Sequence, residues 1–205
     1  MKKLFILRHA KSSWNDPGLS DFDRPLNDRG LNAAPFIGEI IAKRRLVPDI
    51  ILSSPAKRAM QTATLVKEAA GSNAVIKYDD RIYEASPQAL RQVISEIDES
   101  SQFVMIVGHN PGIESFVKFL SNSTERMPTA ALAVLSLDIG AWKDVSPGCC
   151  TLEVVIRPKE EMKFLANMDH DSVVSKLVTF NPRVTFCSHP IKFCSLSYHK
   201  RDRNS

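Results

Sequence analysis

Short, mainly apolar runs alternate along this chain with longer stretches in which apolar residues recur every three or four positions. Lys3 to Leu7, Asp49 to Ser53 and Phe103 to Val107 are runs of the first kind, and Ala131 to Leu137 and Leu152 to Ile156 are two more. Such short runs predict strands buried on both faces. Between them the helical period predicts helices over Ala34 to Arg45, Ala56 to Ala70, Pro87 to Ile97 and Pro111 to Leu120. Ser54-Pro55, Ser86-Pro87 and Asn110-Pro111 each set a proline near a helix start, where its missing N–H costs nothing. Pro35 falls inside a pattern that otherwise opens near Asp28, so that helix either starts late or kinks. Strand followed by helix, repeated, predicts an α/β fold: a three-layer sandwich whose mostly parallel central sheet is flanked by helices. The alternation stops after Arg157-Pro158, which predicts one domain over residues 1–160 and a poorly integrated basic tail over residues 161–205.

Composition removes several function classes. Hydrophobic content of 43% and charge of 24% are ordinary for a globular enzyme. No apolar run approaches the roughly 18 residues that cross a bilayer, so no membrane partner is expected. Leu4 to Leu7 is interrupted by Arg8 and is too short for the apolar core of a signal peptide. All four cysteines, Cys149, Cys150, Cys187 and Cys194, lie in the last third of the chain. That is no disulfide framework, and it fits a reducing, cytoplasmic setting. The net charge of +4 is carried by the tail. Residues 1–162 hold 20 Lys and Arg against 20 Asp and Glu, whereas residues 163–205 hold 7 against 3. A neutral body offers no field for a polyanion, so nucleic acid is not an expected partner.

Ligands of open α/β sheets bind at the carboxyl ends of the strands. The first expected strand ends in Arg8-His9, the second leads through Ser53-Ser54-Pro55 to Lys57-Arg58, and the third ends in Gly108-His109-Asn110-Pro111. His9 and His109 are the two histidines of residues 1–162, and each directly follows a strand run. An arginine fork matches phosphate oxygens and stays charged at any working pH, so Arg8 and Arg58 suit a phosphate cradle. A neutral imidazole with one nitrogen fixed by a backbone acceptor can attack phosphorus with the other. A second imidazole can hydrogen-bond the equatorial oxygens as charge develops.

Leu7 to Asn15 (LRHAKSSWN) resembles the RHGxSxWN signature of the histidine phosphatase superfamily, with Ala10 in the place of its glycine. Further blocks follow in order: Arg24 to Leu31 (RPLNDRGL), Ser53 to Ala63 (SSPAKRAMQTA) and Val107 to Pro111 (VGHNP). The resemblance spans residues 1 to about 160 and implies a phosphoglycerate mutase-like fold. Ala10, the short length and the closing Ile156 to Lys159 are most similar to the small SixA-like phosphohistidine phosphatases. The resemblance makes His9 a nucleophile that is transiently phosphorylated, with Arg8, Arg58 and His109 as its phosphate pocket. Ser12 and Asn15 match positions that help bind phosphate, although capping of a loop or helix explains these residue types equally well.

A covalent phosphohistidine route rests on positioning and charge, so neither metal nor cofactor is expected. Glu84, after the second arginine and before a helix, lies where larger family members place a general acid. An acid opening a helix is also favoured there by the macrodipole alone. The expected substrates are a protein phosphorylated on histidine or, alternatively, a small phosphorylated metabolite, and a third reading is a phosphate-binding module without turnover. Cys187, His189, Cys194 and His199 in the tail fit no standard zinc spacing.

Overall fold

Every expected strand forms, and a sixth joins them. The structure, a computed structural model, describes residues 2–168. In chain order it runs β1 (Lys2–Arg8), α1 (Asp28–Lys43), β2 (Ile50–Ser53), α2 (Lys57–Ala69), β3 (Val75–Tyr78), α3 (Pro87–Ser95), β4 (Phe103–Gly108), α4 (Gly112–Ser121), β5 (Leu132–Leu137), β6 (Cys150–Ile156) and α5 (Pro158–Met168). No helix among the described residues is long and apolar enough to cross a membrane.

The sheet order is β3-β2-β4-β1-β5-β6. Strands β1 to β4 pair in parallel, and β5 runs antiparallel to both its neighbours. The mostly parallel expectation therefore holds, with a single reversed strand. Successive side chains of a strand point to opposite faces. Leu4 and Ile6 of β1, with Val104 and Ile106 of β4, accordingly enter the core under α3 and α4, where Leu90, Ile94, Ile113 and Phe116 meet them. Phe5, Leu7, Met105 and Val107 enter a second core under α1 and α2 with Ile37, Ile41, Ala63 and Val66. These two cores on one sheet are the three layers, and they explain why the strand runs carry no polar alternation.

Helix α1 opens at Asp28 and runs through Pro35. Asn27 caps it, accepting the Gly30 N–H at 3.0 Å. Pro35 deprives the Leu31 carbonyl of its helical donor. The neighbouring Ala34, Ile37 and Ile41 are fully buried, and their packing keeps the helix continuous past that gap. Helix α5 continues through residue 160, where the regular pattern was expected to end, and the rest of the basic tail with its Cys and His residues lies outside the described residues.

Reversal of β5 shapes the functional edge. Parallel strands bring β1, β2 and β4 to one edge with their carboxyl ends, and an antiparallel β5 brings its beginning there instead. The segment between α4 and β5 must therefore cross the layer, and it carries Met127 and Pro128 to the edge where Arg8 ends β1. Strand β6 then finishes at the same edge, at Ile156-Arg157.

Candidate active site

Backbone pairing locks the ends of three neighbouring strands together. The His9 amide donates to the Gly108 carbonyl at 3.0 Å, and the Ser54 amide to the Val107 carbonyl at 3.0 Å. His9, Ser54 and His109 therefore leave the sheet side by side. Their side chains meet: the His9 and His109 rings lie 4.9 Å apart between centroids, and His109 Nε2 is 2.8 Å from Ser54 Oγ. Arg58 comes from the first turn of α2. It is 5% exposed, and its Nε–H donates toward His9 Nε2 at 3.4 Å. The Thr62 hydroxyl, which donates to the Arg58 carbonyl at 2.6 Å and accepts the Ala10 N–H at 3.0 Å, ties α2 to the loop after β1.

The protonation of His9 follows from its partners. A carbonyl oxygen only accepts, so the 2.7 Å contact between Nδ1 and the Ala10 carbonyl puts the proton on Nδ1. Nε2 then carries the lone pair, directed at Arg58. Desolvation lowers the His9 pKa to about 4, with the positive charges of Arg58 and Arg8 acting in the same direction. Burial likewise lowers His109 to about 3, helped by His9 and Arg58. Both rings are thus neutral at ordinary pH, and one of them presents a bare nucleophilic nitrogen. His109 Nδ1 is buried with no hydrogen-bond partner among the described residues. An oxyanion ligand beside His9 would supply one.

An acidic residue with no role in the sequence reading occupies this cluster. Asp21 Oδ2 accepts from Arg58 at 2.7 Å and from the Tyr83 hydroxyl at 3.1 Å, its Oδ1 lies 3.2 Å from Arg24, and its carbonyl also accepts from Arg58. Desolvation pushes the Asp21 carboxyl up, but the hydrogen bonds and charge of Arg58, supported by Tyr83 and Arg24, hold it below the usual carboxylate range. The carboxylate engages the guanidinium fork that an oxyanion beside His9 would need. Tyr83 closes the far wall, edge-on to His109 at 5.4 Å and to Phe22 at 5.2 Å.

The other expected residues are placed unequally. Arg8 is half-buried; it donates to the Met127 carbonyl at 2.8 Å, and its Nε has no partner among the described residues. Ser12 is buried, and its hydroxyl accepts from Arg24 at 2.9 Å, so it props the arginine that faces Asp21. Asn15 stands exposed in the loop after β1 and is not brought to the cluster. Glu84 is exposed at φ 49°, a left-handed conformation that costs a non-glycine residue of order 1 kcal/mol. It follows Tyr83 directly. The next residue, Ala85, presses its carbonyl against Gly112 so closely that a Cβ there would meet the oxygen at 2.2 Å. Asp21, Arg24, Tyr83 and Ser54 are the site residues that spacing alone did not reveal. Ser54 and Arg24 lie inside the ordered motif blocks, and a buried arginine such as Arg58 calls for a counter-ion, but no period points to Asp21.

Comparison with known proteins agrees with this geometry. The model of the histidine phosphatase superfamily (branch 1) matches residues 4–105. An uncharacterized protein of Mycobacterium tuberculosis is 32% identical over 157 residues, covering 71% of this chain and 96% of that protein. A structure from Agrobacterium tumefaciens, described as a candidate SixA phosphohistidine phosphatase, is 34% identical, covers 77% of this chain and 98% of its own, and superposes with a TM-score of 0.67. A candidate phosphoserine phosphatase of Hydrogenobacter thermophilus is 30% identical over 132 residues, 63% of this chain and 58% of that one. With such likeness over nearly the full length of two of these proteins, the chain belongs to the histidine phosphatase superfamily and is SixA-like within it.

Proposed function

We propose that this protein is a phosphatase that works through a phosphorylated His9 and acts on phosphohistidine in a protein. The carrying observation is the His9 ring itself, with Nδ1–H fixed on the Ala10 carbonyl and Nε2 unprotonated between Arg58 and His109. In the first step the Nε2 lone pair forms the bond to phosphorus while the bond to the leaving group breaks. Arg58, Arg8 and His109 stabilise the charge on the equatorial oxygens. Water then attacks the phosphohistidine, giving inorganic phosphate and restoring His9 with its lone pair. The chain's own groups supply the nucleophile and the electrostatic cradle.

The leaving group bears on substrate choice. An alkoxide needs a proton at the moment the bond breaks, whereas an imidazole leaving from phosphohistidine makes a weaker demand. Glu84, exposed and set beside Tyr83, is the residue proposed to serve that demand and then to deprotonate water. The SixA likeness favours the phosphohistidine substrate. A small phosphate ester is the second reading, favoured by the cavity beside Arg8.

The test is an acid-labile, base-stable phosphoenzyme trapped during turnover of a phosphohistidine protein, with small phosphate esters run in parallel. His9→Gln should trap none and turn over neither. Wild-type turnover by His9→Gln would overturn the nucleophile, and preference for small esters would overturn the substrate.

A further inference from the structure

A cavity of about 640 Å³ opens beside Arg8 at the end of β1, and its wall is basic. Arg8, Lys11, Arg29, Arg157 and Lys159 line it, against the single acid Glu160. It is bounded by the end of β1, by Pro128 and Thr129 ahead of the reversed β5, by the residues that follow β6, and by Arg29, Asn32 and Ala33 of α1.

These cations are not equivalent. The Arg157 guanidinium is engaged by Glu125 at 2.6 Å and Glu160 at 3.6 Å. Lys11, Arg29 and Lys159 are exposed and pair with no acid among the described residues. Their backbone is nonetheless fixed. The Lys11 carbonyl accepts the Asn27 N–H at 3.0 Å, and its oxygen lies 2.2 Å from where a Cβ on Gly30 would be. Lys11 and the first turn of α1, with Arg29, are therefore clamped together. Arg8 lines this cavity and immediately precedes the nucleophile, and its buried Nε has no hydrogen-bond partner among the described residues. Like charges converge at low cost when an anion is bound between them. A cluster of unpaired cations in a concave wall one residue from the nucleophile lacks such a partner within the described chain.

We propose that this cavity is a subsite for a second anionic group, a carboxylate or a phosphate, carried by the phosphorylated substrate. The proposal rests on the phosphatase reading and deepens it: the phosphoryl group meets His9, Arg58 and His109, while the second anion lies across Lys11, Arg29 and Lys159. Two sources can supply that anion, an acidic side chain flanking the phosphohistidine of a protein or a second phosphate on a small ester.

The experiment compares kcat/KM within two substrate pairs, phosphohistidine peptides with acidic or neutral flanks and small esters with two phosphates or one. Preference for the anion-bearing member of at least one pair, by about tenfold at low salt and shrinking as salt is raised, is expected. In Lys11→Glu/Lys159→Glu that preference ratio should vanish or invert. Preference confined to the peptides assigns the acidic side chain, and preference confined to the esters assigns the second phosphate. Absence of preference in both pairs, or a preference that the double variant leaves intact, overturns the subsite. Affinity of the same compounds for His9→Gln, measured by calorimetry, reads the subsite without turnover. A failed nucleophile assignment therefore shows separately, as turnover that survives the loss of His9.

Discussion

Acid should destabilise this protein earlier than its carboxylates account for, because two neutral imidazoles are buried at its centre. In the unfolded chain both histidines titrate near the ordinary value of about 6.5. In the folded chain desolvation and neighbouring positive charge lower His9 to about 4 and His109 to about 3. The folded values lie below the unfolded ones, so between them the unfolded chain binds more protons, and stability falls as pH falls. The penalty is absent well above the unfolded value, grows as pH drops below it, and saturates once pH passes the folded values. Between pH of about 7.5 and about 5 each ring stays neutral in the fold while its unfolded counterpart is protonated, at a cost of about 2 kcal/mol each and about 4 kcal/mol for the pair. Urea denaturation at these two pH values measures it. The natural protein should lose about 4 kcal/mol, and His9→Gln/His109→Gln should lose far less, since the histidines outside the described residues are common to both proteins. The interval stops short of the range in which paired carboxylates such as Asp21 and Asp79 titrate. Equal losses in the two proteins would refute the reasoning, because the buried rings would then contribute nothing to acid lability.

With His9 as the proposed nucleophile, the acid limb of kcat/KM should fall near pH 4, the value to which His9 is lowered, and a limb near 6.5 would mean that the nucleophile is not the buried ring. Asp21→Asn removes the negative charge from Arg58 and should tighten inhibition by inorganic phosphate several-fold; unchanged or weaker inhibition would make Asp21 a prop rather than a competitor. Arg58→Lys keeps the charge and loses the fork, and should lower kcat by about 100-fold with its fold intact by circular dichroism, as expected for one preorganised donor set. Gly112→Ala forces a Cβ to 2.2 Å from the Ala85 carbonyl and should cost about 1–3 kcal/mol in thermal denaturation; an unaltered melting temperature would show that the Ala85 turn yields freely.

The chain announces its strands because a sheet covered on both faces needs apolar residues on both, and β1, β4 and β5 obey. Strand β3 escaped the pattern for the opposite reason. Val75 is 61% exposed at the sheet edge, so burial places little constraint on its sequence. Pro35 obscured the start of α1 because a proline's local cost is visible in sequence, whereas the burial of Ala34, Ile37 and Ile41 that offsets it is not. At the candidate site, the positions of Arg8, His9, Arg58 and His109 were legible because Arg8 closes β1, His9 and His109 directly follow strands, and Arg58 lies in the first turn of α2. Asp21, Arg24 and Tyr83 come from loops, whose paths are fixed by contacts between residues far apart in sequence. The bond between Tyr83 and Asp21 joins positions 62 residues apart. Asn15 shows the converse: a motif match brings a residue type to the right place in the sequence without bringing it to the cluster.

The reversed strand also divides the molecule into regions with different freedom to change. Every turn at the catalytic edge is tied to a chemical group, including the crossing segment whose Met127 carbonyl receives Arg8 and Asn110. The opposite edge carries, among the described residues, the start of β1 and the returns into β2, β3, β4 and β6, near residues 44–49, 70–74, 96–102 and 138–149. Insertions, fusion partners and shifts in loop length can accumulate there without passing through the chemistry. Substrate preference and the dimensions of the scaffold can thus drift on separate schedules, and a lineage built on this sheet can change one while conserving the other.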